Sequence, residues 1–260
     1  QANRVYFRSY DGYTTNHLKA RIINDDPTPA YLVYKFNGIP FSERRDGSLA
    51  HGFPVRMVVP DMLGMKSPKA LMEIEVSDRD EVDGYWESRP VRSSEPEITW
   101  ADIPPLQINS RIYNPVNYQK VSRGNSFTVQ GVAVSGVNPV EKVEVGLVKV
   151  KGRNQPDGDI VWQDARIFDR PDSAARPAYD DSDGAAFSEA LGRINANPWP
   201  APFVWCQWEF DLQVPDAEGK YGVYARATDS AGNVQPMDEL TALENADGNN
   251  SIHRLIIQAE

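Results

Sequence analysis

The sequence predicts a mainly β protein whose C-terminal part is a sandwich of two sheets. Trp208–Val214 alternates apolar and polar residues, so Trp208, Phe210, Leu212 and Val214 share one face of a strand. Tyr221–Ala227 repeats that period, with Tyr221, Val223, Ala225 and Ala227 on one side. Short strand-length runs punctuated by Gly and Pro turns recur along the chain, a texture that favours packed antiparallel sheets over a parallel α/β sheet.

The elements follow in order. Tyr31–Tyr34, Val55–Val59 and Ile74–Val76 are apolar, rich in β-branched or aromatic residues, and followed by turn formers at Asn37-Gly38, Pro60 and Ser77-Asp78. Prolines at Pro96, Pro104 and Pro105 mark a hinge, because proline lacks the N–H that a helix interior or central strand requires. Residues 1–103 therefore form one region and residues 104–260 a second. In the second region Phe127–Val134, Val143–Val150 and Ile252–Ile257 add strands, and the whole reads as an immunoglobulin-like β-sandwich. An insertion rich in Ala, Asp and Pro interrupts it at about residues 168–202. Within it Phe187, Leu191 and Ile194 have the spacing of a short amphipathic helix, and a loop this long is expected to contact a partner.

Composition narrows the function. A net charge of −10 argues against nucleic acid, whose phosphates call for an excess of Lys and Arg, and suits solubility or a basic partner such as a small cationic electron carrier. No run approaches the roughly 18 apolar residues of a membrane span. The chain opens on Gln1, which leads us to expect an upstream segment, a cleaved secretory signal among the candidates.

Single-residue chemistry is sparse. Cys206 is the one cysteine, so neither a disulfide framework nor a multi-cysteine metal site is available, and its place in the sandwich marks it as a small core residue. His17, His51 and His253 lack zinc spacing. Asp180, Asp181 and Asp183 lack the closing Glu of a calcium loop. Trp162, Trp205 and Trp208 are expected to pack the sandwich.

One stretch carries more. His51-Gly52-Phe53-Pro54-Val55-Arg56 follows Asn37-Gly38 and precedes Gly64–Lys69, and the pieces Trp205–Trp208, Gly222–Asp229 and Gly232–Pro236 come later in the same order. Together they resemble the sulfite oxidase family over nearly the whole chain. The resemblance makes residues 1–103 the second half of a molybdopterin α+β domain, and residues 104–260 the family's sandwich of dimerisation type. It assigns cofactor contacts to His51, Arg56 and Lys69, cationic donors of the kind that bind a phosphate-bearing heterocycle. Read without the resemblance, the same three are a turn residue, a strand cation and a solvated charge.

The chain departs from the family pattern in three places. The family's molybdenum thiolate belongs to the half that would precede Gln1, and Cys206 does not match it. Val91 stands where the substrate-site tyrosine would be, and Ala70 where a tryptophan follows the pterin lysine. The resemblance with its departures implies a non-catalytic structural subunit without cofactor. Its setting would be an extracytoplasmic, periplasmic-type electron-transfer complex, with other protein subunits of a respiratory or photosynthetic assembly as partners. The alternative is a molybdenum-cofactor oxidoreductase whose Cys-bearing half lies outside this chain. A third reading, an adhesion or carbohydrate-binding module, would require an exposed row of aromatics. Residues 1–103, as half of an ancestral domain, are expected to lean on the sandwich or on a partner through open strand edges.

Overall fold

A computed structural model of the chain describes residues 2–22, 30–36, 39–41, 52–79, 84–86, 90–92, 95–99, 106–170, 198–237 and 250–260. Two compact units result, one built on residues up to Leu106 and the other on Gln107–Pro171, Trp199–Asn245 and Asn249–Glu260. The fold is mainly β in both. Among the described residues no helix is long and apolar enough to cross a membrane.

The first unit contains β1 (Arg4–Ser9), β2 (Thr14–Leu18), β3 (Tyr31–Val33), β4 (Lys35–Phe36), β5 (Ile39–Pro40), β6 (Arg56–Val58), β7 (Leu71–Ser77), β8 (Pro90–Arg92) and β9 (Glu95–Thr99). A single helical turn, α1 (Lys19–Ile22), follows β2. β1 lies centrally in an antiparallel sheet ordered β2-β1-β7, while β3–β6, β4–β5 and β8–β9 are separate pairs. A tight turn joins β1 to β2, with Gly12 at φ +83° and Asp11 Oδ1 accepting from the Tyr13 N–H. The core is small: Val5 and Phe7 on β1 pack with Met57 and Val59, bordered by Ile22, Ala30, Met62 and Leu71.

The second unit is the sandwich. Its strands are β10 (Asn109–Asn114), β11 (Gln119–Val121), β12 (Ser126–Val134), β13 (Val140–Lys151), β14 (Gln155–Pro156), β15 (Val161–Asp164), β16 (Arg166–Ile167), β17 (Cys206–Gln213), β18 (Gly219–Asp229) and β19 (His253–Ala259). One sheet runs β10-β12-β17-β16. The other runs β11-β19-β18-β13-β14, with β15 also on β13. β11 and β19 pair in parallel and the remaining pairs are antiparallel.

The alternating residues meet between the sheets. Trp208, Leu212 and Val214 face Tyr221, Val223, Ala225 and Ala227, with Val129, Val143, Val145 and Ile257 completing a core built by the period-two pattern. Gly131 makes this possible. A Cβ there would fall 2.1 Å from Trp208 Cζ2 and 2.4 Å from the Arg111 carbonyl oxygen, so the indole occupies the space a side chain would need.

Two tryptophans differ from expectation. Trp205, the residue before β17 begins, is 54% exposed, out of phase with the buried Cys206 and Trp208. Trp162, on β15, lies on the sheet's outer side with the Arg226 guanidinium 4.2 Å from its ring centroid. The described tryptophans of the sandwich thus form no exposed row.

The strands also differ in length from the apolar runs. β6 is confined to Arg56–Val58 by Pro54 and Pro60, and β7 extends to Leu71–Ser77 because β1 supplies a ladder along its full length. The base of the insertion is tied: the Phe168 N–H donates to the Gln207 carbonyl, and Trp199 Nε1 donates to the Phe168 carbonyl at 2.8 Å. The helix expected at Phe187–Ile194 lies outside the described residues.

Candidate functional site

The segment carrying Arg56 runs beside the segment carrying Lys69. Met57 N–H donates to the Pro68 carbonyl at 2.8 Å, Leu71 N–H to Val55 at 2.8 Å, and Ala70 N–H to Gly52 at 3.4 Å. Two of the three cationic residues singled out from sequence are therefore on adjacent backbone. The third, His51, lies outside the described residues, though its neighbour Gly52 does not.

Gly52 is a requirement of this arrangement. Its φ is +118°, and a Cβ there would fall 2.9 Å from Arg56 Cδ and 3.0 Å from Arg56 Cβ. The stem of Arg56 lies across the bare glycine backbone. Its Nε is buried and finds no hydrogen-bond partner among the described residues, an unusual condition for a guanidinium. An anion placed there would satisfy it. Lys69 is exposed on the neighbouring segment.

The loop between the two segments is held from β2. A 3-10 turn at Gly64–Lys66 is closed by Ser67 N–H donating to the Gly64 carbonyl. His17 Nε2–H donates to the Lys66 carbonyl at 2.9 Å, Tyr13 Oη to Met65 at 2.6 Å, and Lys66 Nζ to Asn16 at 3.1 Å. Ser67 Oγ accepts the Val59 N–H at 3.0 Å, and Arg21 donates to the Pro60 carbonyl. Burial pushes the His17 pKa down to about 4, with the nearby charges of Lys66 and Arg21 adding to the effect against the opposing hydrogen bond, so the imidazole is a neutral donor. No sequence pattern marks Tyr13, Asn16 or Ser67, and His17 lacks zinc spacing. Thr14–Leu18 is almost wholly polar yet mostly buried, so no hydrophobic period announces it.

The remaining candidates are structural. Cys206 is 0% exposed, its thiol donates to the Ala133 carbonyl at 3.5 Å, and burial raises its pKa to about 11. It is the core residue expected and no metal thiolate. His253 Nδ1 accepts the Ile112 N–H at 2.9 Å, and burial, with Arg111 nearby, lowers its pKa to about 4. Val91 lies on β8 and its side chain is outside the described residues.

The run Gly222–Pro236 also proves structural. Asp229 Oδ1 accepts from the N–H groups of Ala231 and Asn233 in a turn with Gly232 at φ +83°, and Gln235 bridges the Ala227 N–H and the Asn250 carbonyl. Among the described residues no three His, Cys, Asp or Glu side chains gather as a metal site. The Arg56 side thus fits an anionic group such as a cofactor phosphate, whereas the chain's own thiol does not fit a metal.

Comparison with known proteins agrees with this geometry. The family model for the Mo-co oxidoreductase dimerisation domain matches residues 101–260, and that for the oxidoreductase molybdopterin binding domain matches residues 1–86. The nitrate reductase [NADPH] of Aspergillus niger is 29% identical over 245 residues, covering 88% of this chain and 26% of the relative. The mitochondrial sulfite oxidase of Mus musculus is 28% identical over 245 residues, covering 90% of this chain and 37% of the relative. The chain therefore spans between a quarter and somewhat over a third of the length of these relatives. The crystal structure of the sulfane dehydrogenase SoxCD from Paracoccus pantotrophus superimposes with a TM-score of 0.58 at 19% identity, covering all of this chain and 57% of that one, a likeness of fold. With its larger part matched by the dimerisation-domain model and its first part by the molybdopterin-domain model, the chain belongs to the sulfite oxidase family of molybdenum-cofactor oxidoreductases.

Proposed function

We propose that this chain is a non-catalytic structural subunit built on the sulfite-oxidase scaffold, docking other proteins of an extracytoplasmic electron-transfer complex. Cys206 carries the reading. It is the single thiol of the sequence, and it is held protonated in the sandwich core, so these residues offer molybdenum no soft ligand. Val91 and Ala70, in place of the family's tyrosine and tryptophan, support it. The net charge of −10 suits a cationic neighbour, and the family's setting beside cytochromes supports a respiratory or photosynthetic assembly. In such an assembly the subunit clamps its neighbours, and electrons pass through them.

A second reading is favoured by one observation, the unsatisfied Nε of Arg56. Here the chain is part of a molybdenum-cofactor oxidoreductase, with a Cys-bearing half supplied from outside these residues. The cofactor would supply two-electron redox chemistry. Arg56 and Lys69 would bind its phosphate, and His17, by fixing the Lys66 carbonyl, would keep the intervening turn in place.

Elemental analysis for molybdenum on the native protein or complex, with pterin fluorescence after oxidation, separates the two. Metal and pterin below a tenth of stoichiometric support the scaffold. Stoichiometric amounts of both overturn it in favour of the oxidoreductase.

A further inference from the structure

The geometry points to β7 as a docking edge that accepts an extended strand of a partner protein in which apolar residues alternate with basic ones. The inference rests on the scaffold reading and names the surface by which the scaffold grips. β7 is the last strand of the β2-β1-β7 sheet, and among the described residues its only ladder is with β1. Met72, Ile74 and Val76, at alternate positions, are 67%, 46% and 54% exposed. Their registered neighbours on β1 are not: Ile74 stands opposite Phe7 and Val76 opposite Val5, both in the core. Among the described residues the apolar face of the sheet is therefore covered over β1 and left open over β7.

Soluble proteins guard such edges with proline, inward charge or a covering loop, because unpaired backbone groups beside an apolar strip recruit another strand. Between Met72 and Val76 the edge has no proline, and its one bulge, with Met72 as the extra residue between the Arg8–Glu73 and Ser9–Leu71 pairs, leaves Glu73–Val76 in regular register with β1. The opposite face of β7 sets the partner's chemistry. Glu73 and Glu75 stand there with side chains 52% and 42% exposed, in contact with Arg8 and Arg79 on the sheet side. A strand laid along the free edge puts its own alternate side chains directly across from these carboxylates, where opposite charges stabilise and like charges destabilise. A second copy is disfavoured on that count. Antiparallel self-pairing about Ile74 sets Glu73 against Glu75 of the copy, between chains that each carry a net charge of −10.

The test uses the full chain and a ten-residue synthetic peptide alternating valine with lysine, beside a counterpart with glutamate in place of lysine. Hydrogen exchange should slow at the Met72–Val76 amides on adding the lysine peptide, which should bind at least tenfold tighter than the glutamate peptide. Ile74→Lys should abolish this protection while β1 amides keep theirs, which shows that the sheet has survived. The double variant Glu73→Gln, Glu75→Gln should retain protection but narrow the preference to under threefold. Equal binding of the two peptides, or protection elsewhere than β7, overturns the proposal. So does β7 protection that rises with protein concentration alone and comes with a doubled mass, since a second copy would then be the occupant. Molybdenum and pterin content do not enter this readout, so a failure here leaves the scaffold reading standing, and metal found in the chain overturns that reading by a separate measurement.

Discussion

His17 donates its Nε2–H to the Lys66 carbonyl at 2.9 Å, and Lys66 Nζ donates to the carbonyl of Asn16, the residue before His17, at 3.1 Å. This exchange ties a polar strand to the turn between the Arg56 and Lys69 segments. It also makes the unit sensitive to pH, because the imidazole is buried in its neutral form. Its folded pKa of about 4 lies below the ordinary 6.5, so between these values the unfolded chain binds the extra proton. The stabilisation is full above pH 6.5, is lost progressively as pH falls, and is gone below pH 4. Over that window His17 should contribute up to about 1.4 kcal/mol per pH unit. Denaturant titrations from pH 7 to 4 should show a shallower decline for His17→Gln than for the parent chain, by close to one proton.

Cys206 should behave as a buried thiol. With its pKa raised to about 11 and its sulfur shielded, it should resist iodoacetamide at pH 8 in the folded chain and react within minutes in denaturant. Rapid alkylation of the folded protein, read by mass spectrometry, would remove the observation on which the scaffold reading stands.

Gly131→Ala should destabilise the sandwich by about 1–3 kcal/mol, because the new methyl collides with the Trp208 ring and with the Arg111 carbonyl. Trp208→Ala, which empties the core instead, should cost about 3–5 kcal/mol. Thermal unfolding followed by near-ultraviolet circular dichroism should rank the two in that order. The double variant should cost less than the sum, since the added methyl no longer meets a ring once the indole is gone.

Arg56→Met should discriminate between the two functional readings. An unsatisfied buried donor costs about 1–3 kcal/mol, so an apolar side chain of similar length should leave a cofactor-free chain unchanged or more stable. In a chain that carries a pterin phosphate the same variant should lose cofactor and stability together. Parallel melts and pterin fluorescence on the variant read both quantities.

The sandwich was legible in the sequence because half-burial writes itself as alternation. Trp208, Leu212 and Val214, like Tyr221, Val223, Ala225 and Ala227, were placed by period alone and lie in the core. Family membership was legible too, since the order of the glycines, prolines and cations around Arg56 and of the turn from Asp229 to Gln235 survives without any geometry. Tertiary structure alone decided the rest. It made Asp229 and Gln235 fasteners of a turn and brought Tyr13, Asn16 and His17 to the Arg56 loop. Asp229, Gln235, Asn16 and His17 are polar and buried and Tyr13 is half-buried, and such groups are stabilised by particular hydrogen bonds, which have no period along the chain. The open edge of β7 belongs with them. A strand's sequence sets which side chains alternate, but only the arrangement of its neighbours determines whether both of its edges are paired.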